Sequence, residues 1–192
     1  MKVRNVAIGV ILSLILLSLP VAARQTVAIQ IHAGENALST PVVLRDGSVL
    51  SVLKPLPISD AYGYGYGKWR SYHAAAPDFL HSLKMLELGR GYIVLAAEPC
   101  EITFQGLVPT FWSVSLTEGP NLVGWPRMYP TTVRDAFDSV WDATEKVLFF
   151  DGVDWLRMEG DDIINPGEAY WVYVAWDVEW VVETKRTSSS LR

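Results

Sequence analysis

The chain holds a single cysteine, Cys100, in 192 residues, so no internal disulfide can form and packing alone must hold the fold. Histidine is scarce as well. His32, His73 and His81 are the only three, all before residue 100, and their spacing fits no zinc template. Positive charge is in deficit: 16 lysines and arginines face 21 aspartates and glutamates, a formal net charge of −5. Phosphate backbones and anionic lipid heads repel such a chain, which argues against nucleic acid or a membrane surface as partner. No apolar run of spanning length follows residue 23. A Gly-x-Ser-x-Gly elbow is missing too. A catalytic histidine needs a nucleophile within hydrogen-bond reach and a group that orients it, and the sequence names neither. The three histidines read as surface or loop residues, and the chain reads as a non-enzyme.

At the N-terminus, Lys2 and Arg4 precede an apolar run from Val6 to Leu19, then Pro20 and the small residues Val21-Ala22-Ala23. That is the pattern of a secretory signal peptide over residues 1–23, with an uncleaved anchor as the competing reading. Cleavage would remove two bases and no acids, taking the net charge from −5 to −7. The expected location is secreted or cell-surface, with no membrane span after cleavage. Residues 184–192 are polar and aperiodic, and a disordered tail is expected there.

Between these ends the sequence repeats. At an offset of 85, Gly34 pairs with Gly119, Asn36 with Asn121 and Pro41 with Pro126. Trp69 stands opposite Trp155 at an offset of 86, and Gly89, Tyr92 and Val94 stand opposite Gly167, Tyr170 and Val172 at 78. The fall in offset places an eight-residue deletion in the second copy, after the position of Tyr72. The copies are residues 24–108 and 109–183.

Each copy shows short β-prone runs around composition-defined turns: 112–117 and 121–125 about Glu118-Gly119-Pro120-Asn121, then 147–150, 169–175 and 178–182. One helix signal is strong. Thr132 is placed to cap it, and Val133, Ala136, Phe137, Val140 and Trp141 share one helical face. A shorter equivalent, Ser48 to Lys54, stops at Pro55. The fold class expected is therefore β-rich α+β, two tandem strand–helix–β-meander repeats packed as one compact body. Strands such as 170–174 are apolar on both faces, so the copies should pack together or the helix should cover one side.

With these residues in view, the chain resembles a module found in tandem in secreted and surface-attached prokaryotic proteins, of approximate form G-x-N-L-[VI]-G-W, W-x-x-Y, then G-x-G-Y-W. The second copy carries Gly119-Pro-Asn121-Leu122-Val123-Gly124-Trp125 and Tyr170-Trp171-Val172. The first carries Trp69-Arg-Ser-Tyr72, Phe79-Leu80-His-Ser-Leu83 and Gly89-Arg-Gly91-Tyr92-Ile93. Ala37-Leu38-Ser39-Thr40 departs from Leu-Val-Gly-Trp, and Ala169 replaces the last glycine. The resemblance implies export and repeat architecture, and it carries over no catalytic residue.

Three chemistries can be set against plain structure. Gly63-Tyr-Gly65-Tyr-Gly67 lacks the strand-to-helix setting of a phosphate loop and reads as a turn with close aromatic packing. Asp151, Asp154, Asp161 and Asp162 cluster around the second copy's turns, where a weak calcium site competes with a solvated acidic loop; no other cofactor is expected. Tyr62, Tyr64, Tyr66, Trp171, Tyr173 and Trp176 are candidates for an aromatic platform that stacks on sugar rings. Against that, Trp69/Trp155 and Tyr92/Tyr170 recur at matched places as core residues would. Cys100 aligns with Val178 and reads as a small hydrophobe. The function these features point to is a binding or adhesion module at the cell envelope, its partner a glycan or a surface protein. The alternative is a structural subunit that self-associates.

Overall fold

The computed structural model describes residues 24–183; the expected signal peptide and C-terminal tail lie outside the described residues. The N-terminal half runs β1 (Gln25–Ile31), β2 (Gly34–Ser39), β3 (Val43–Leu44), α1 (Val49–Val52), β4 (Ile58–Gly65), β5 (Lys68–His73), β6 (Gly91–Ala96) and β7 (Cys100–Leu107). The C-terminal half runs β8 (Phe111–Leu116), β9 (Gly119–Gly124), β10 (Thr131–Thr132), α2 (Val133–Ala136), β11 (Thr144–Phe150), β12 (Trp155–Met158), β13 (Ile163–Ile164), β14 (Ala169–Val174) and β15 (Val178–Glu183).

Both halves are built on one plan. An antiparallel sheet in the order β2-β6-β4-β5 has its counterpart in β9-β14-β11-β12, and β1-β7-β3 has its counterpart in β8-β15. Alternation decides which face goes in. Along β7, Ile102 and Phe104 are buried while Glu101 and Thr103 are exposed. With Leu38, Val94 and Tyr92 from the larger sheet they form the first core. The second core gathers Val123, Val147, Tyr170 and Val172 from its larger sheet, Leu116 and Trp180 from the smaller, and Phe137 and Val140 from between.

The β-rich character is as expected, but the α+β, strand–helix–meander description is overturned. Among the described residues the α-helices are single four-residue turns, Val49–Val52 and Val133–Ala136, and the remaining helical segments are 3-10 turns at Asp78–Leu80 and Asp138–Ala143. The second helix starts where expected, with Thr132 Oγ1 accepting from the Asp135 N–H at 3.1 Å. Its end has a tertiary cause. The Trp180 indole donates to the Ala136 carbonyl (2.8 Å), the acceptor an α-helix would offer to Val140. The Val140 N–H turns instead to Phe137 O (2.9 Å), a 3-10 spacing. Ser139 Oγ then exchanges hydrogen bonds with both backbone groups of Val181. Val133, Ala136, Phe137 and Val140 still face the core.

The halves meet through faces turned away from their own cores, and the contacts come in matched pairs. Ser39 N donates to Gly167 O (2.7 Å) and Gly124 N donates to Gly89 O (3.1 Å). Leu38 bridges Glu168, and Arg90 bridges Val123. These pairs are related by the sequence offsets of the two copies, so the joint has an internal twofold character. Its centre is tight. A Cβ on Gly124 would lie 2.0 Å from Ser39 Cβ, and one on Gly91 would lie 2.9 Å from Ala169 Cβ. Each close contact pairs one glycine with a small side chain, and the two glycines lie in different halves. Two turn glycines, Gly89 (φ +74°) and Gly167 (φ +89°), have left-handed backbones, and each is covered from across the joint, by Trp112 and Ile29 respectively.

Turn chemistry also recurs. Asn36 accepts from His32 N and donates to the carbonyls of His32 and Gly34; Asn121 does the same with Thr117 N and the carbonyls of Thr117 and Gly119. Tyr92 Oη accepts from Glu87 N (2.7 Å), and Tyr170 Oη accepts from Asn165 N (2.8 Å). One histidine corrects the surface reading. His81 is buried against the ring of Tyr72, centroids 4.7 Å apart. Cys100 is half-buried beside the first core, and burial raises its thiol pKa, with Glu98 adding to the effect.

Candidate functional site

Strand register brings five rings into one strip across the joint. In the β4–β5 hairpin Tyr64 lies directly opposite Trp69, and in β11–β12 Phe150 lies opposite Trp155. Both pairs are on the faces turned away from the cores. Trp171 of β14 links them. Its ring sits 5.3 Å from Tyr64, 5.8 Å from Trp69 and 6.1 Å from Trp155, all edge-to-face. Tyr64–Trp69 (5.1 Å) and Phe150–Trp155 (5.3 Å) close the series. These separations are those of favourable aromatic pairs. The strip is not core: Trp69 is 53 % exposed, and Tyr64, Phe150, Trp155 and Trp171 are half-buried.

Of the six platform candidates, Tyr64 and Trp171 are therefore brought together. Tyr62 lies two residues along the same face, edge-on to His73 at 5.7 Å. Tyr66 occupies the β4–β5 turn at φ +53°, with the Arg90 guanidinium 4.9 Å above its ring. Tyr173 lies under Lys146 Nζ at 3.9 Å. Trp176 stands apart in the β14–β15 turn, 52 % exposed. The reading of Trp69 and Trp155 as core residues fails, whereas Tyr92 and Tyr170 are buried. Hairpin register could have shown this, because a two-residue turn at Tyr66-Gly67 puts Trp69 opposite Tyr64 and outside. Matched recurrence misled: these positions repeat because each half turns the same face to the joint.

By register Lys146, opposite Tyr173, and Arg157, opposite Leu148, share the face of the strip, whereas Lys68 and Arg70, opposite Gly65 and Gly63, lie on the other face of their hairpin. No carboxylate lies within 4.0 Å of Lys68, Arg70, Arg90, Lys146 or Arg157 among the described residues, where the ion pairs are Lys54–Asp78, His73–Asp60 and His81–Asp78. His73 Nδ1 meets Asp60 Oδ1 at 2.7 Å across the β4–β5 ladder. That hydrogen bond is the main cause of an Asp60 pKa below the usual carboxylate value. Burial pushes the phenols of Tyr72, Tyr92 and Tyr170 up. Arg127 is buried with Nη2 donating to Val182 O (2.6 Å), and burial lowers its pKa.

The acidic turns serve their own backbone. Asp151 Oδ1 accepts from the N–H groups of Val153 and Asp154, both at 2.8 Å, and Asp162 Oδ2 accepts from Glu159 N at 2.7 Å. These bonds lower the Asp151 pKa. No group of three or more His, Cys, Asp or Glu side chains able to hold a metal occurs among the described residues. No described helix is long and apolar enough to cross a membrane.

No family model matches this chain, and no curated protein matches it. Among solved structures, the major capsid protein P2 from bacteriophage PM2 overlaps 84 % of this chain and 91 % of that one, at 12 % identity and a TM-score of 0.22. A similarity that low assigns neither a fold nor a role.

Proposed function

We propose that the chain is a non-catalytic binding module of the cell envelope, and that the strip Tyr64–Trp69–Trp171–Trp155–Phe150 is its platform for a glycan. One observation carries this: the strip takes rings from both halves, joined through Trp171, and its Trp69 is more than half exposed. Exposed aromatic surface in a monomer costs solvation unless something covers it. Flat rings with a polar edge suit the apolar faces of sugars, and their stiffness keeps the ordering cost of binding low.

The test is titration of residues 24–192 with soluble neutral polysaccharides by isothermal calorimetry, beside the Trp69→Ala and Trp171→Ala variants. Saturable binding that weakens on the order of tenfold or more in each variant supports the reading. Binding unchanged in both variants sinks it. A self-associating subunit is the second reading, favoured by Phe79 and Leu80, which stand 79 % and 62 % exposed at the 3-10 turn. Concentration-dependent growth in light scattering, abolished by Phe79→Ser, would decide for that one.

A further inference from the structure

The halves share one plan but differ at the outer edge of the larger sheet, where β5 and β12 are the equivalent edge strands. Antiparallel pairs alternate between hydrogen-bonded and open positions, and the hairpin turn fixes which residue is which. In β11–β12 the Asp151 N–H donates to Asp154 O at 3.1 Å, so the main chain of Leu156 and Met158 faces β11 and that of Trp155 and Arg157 faces outward. In β4–β5 the same count turns Trp69 and Ser71 outward. The first half covers its edge. Ser82 Oγ accepts from Ser71 N at 2.8 Å, and Ser71 O accepts from Ser82 N and Leu83 N, both at 2.9 Å. Arg157 stands where Ser71 does, but the second half runs from Met158 to Gly167 with eight residues fewer than the first from Tyr72 to Gly89. No described residue bonds the main chain of Trp155 or Arg157 from outside.

An uncovered edge is a template for a further strand. β12 offers three side chains beside its open groups. Trp155 belongs to the aromatic strip, Leu156 is 43 % exposed, and Arg157 donates to the Glu145 carbonyl at 3.5 Å and has no carboxylate partner. Pairing of β12 with a second β12 uses all three. Both outward residues of one strand meet both of the other in the antiparallel register that sets Leu156 opposite Leu156. Trp155 then lies opposite Arg157 of the second copy on the face of the strip, and the two leucines meet on the other face. A guanidinium over an indole is a favourable contact. The neighbouring registers are worse: one sets Arg157 against Arg157, and the other leaves Arg157 facing the turn at Gly152-Val153.

We infer that two copies of this chain pair through β12 about a twofold axis, joining their β9-β14-β11-β12 sheets edge to edge. The occupant is a second copy because the edge complements itself: its cation, its ring and its apolar side chain each find a partner in one register. Opposite residues of an antiparallel pair share a face, so both aromatic strips come to the same side of the joined sheet. The like net charge of the copies, −5 each, opposes pairing at long range. Salt screens that repulsion, so the pair tightens as salt rises. The pairing goes beyond the glycan reading and stands whether or not a glycan binds.

Sedimentation velocity on residues 24–192 over a concentration series reads the pairing. The expected result is a monomer–dimer equilibrium without larger species. Its dissociation constant should rise at least about tenfold in Leu156→Lys, which sets two charges face to face at the axis. Arg157→Pro should do the same, because it removes an outward N–H that the fold itself leaves unused. Phe79→Ser should leave the dimer unchanged. In a Cys100→Ser background, Leu156→Cys should oxidise to a cross-linked dimer, since Cα atoms of an open antiparallel pair lie about 4.5 Å apart, within disulfide reach. Val153→Cys, at a residue 80 % exposed but off the axis, should cross-link far more slowly. A monomer at every concentration overturns the inference, as does a dimer that survives both β12 substitutions, or one that Phe79→Ser abolishes and Leu156→Lys spares. Cross-linking no faster at 156 than at 153 overturns it independently of whether the other variants fold, which circular dichroism checks.

Discussion

Gly124→Ser should break the joint between the halves, and adding Ser39→Gly should mend it. A Cβ at position 124 would lie 2.0 Å from Ser39 Cβ and 2.3 Å from its Oγ. Neither atom can swing aside, because Ser39 N is bonded to Gly167 O at 2.7 Å and Ser39 Oγ to Glu168 O at 2.7 Å. Overpacking a tight core costs about 1–3 kcal/mol, and a clash between backbone-anchored atoms belongs at the upper end. For a domain of this size each kcal/mol moves Tm by about 2–4 °C, so Gly124→Ser should lose roughly 5–10 °C. Ser39→Gly alone gives up one hydrogen bond and adds a strand glycine, together about 1–2 kcal/mol. In the double variant the side chains have changed places across the twofold. The Cβ built at position 124 lies 3.3 Å from Arg90 O, the counterpart of the Glu168 carbonyl that Ser39 now uses. The double variant should therefore melt above Gly124→Ser, with a coupling energy of about 2 kcal/mol in a cycle measured by scanning calorimetry. Additive losses would refute the reasoning, since they would mean the two positions do not touch.

Other consequences are smaller and independent. Asn121→Ala should cost more than Asn36→Ala, about 2–3 against about 1 kcal/mol, because Asn121 is buried and its three hydrogen bonds are partly so, whereas Asn36 is half-exposed and makes the same bonds in the open; urea melts read the difference. Asp60 has its pKa lowered in the fold, so its ionised form stabilises fully above the unfolded carboxylate value near ~3.9 and that stability is lost as pH falls through the lower folded value. Asp60→Asn should flatten the acid limb of a pH–Tm curve, and an unchanged limb would remove His73–Asp60 from the account. Three of the eight tyrosines, Tyr72, Tyr92 and Tyr170, have raised pKa values, so an ultraviolet titration should show a fraction of the phenols ionising only as alkali unfolds the chain. Arg127→Ala should lose about 3 kcal/mol or more, leaving the Pro126 and Val182 carbonyls without their buried donor.

The parts of the fold that were legible are those fixed within a few residues. The Thr132 cap, the hairpins and the buried stripe Val133, Ala136, Phe137 and Val140 all follow from local spacing. What failed depends on groups far along the chain. The second helix is cut short by an indole 44 residues away in sequence, which no periodicity records. The two-residue turn already pairs Trp69 with Tyr64 on one face, but what lies against that face, Trp171 of the other half, depends on how the halves meet. Acids at turns suit both a cation and the turn's own N–H groups, so the sequence leaves Asp151, Asp154, Asp161 and Asp162 open to calcium. In the structure Asp151 and Asp162 serve the N–H groups. The Arg90 contact at Tyr66 was the least legible feature, since Arg90 reaches it from a loop outside the hairpin.

The measurement that bears most directly on the central claim is a ¹⁵N-edited NMR titration of the eight tryptophan indoles with the bound polysaccharide. Ligand on the strip should shift the indoles of Trp69, Trp155 and Trp171 and leave the buried Trp125 and Trp180 in place. Shifts confined to Trp176, or no indole shift at a concentration where calorimetry shows saturation, would contradict a platform shared by the two halves.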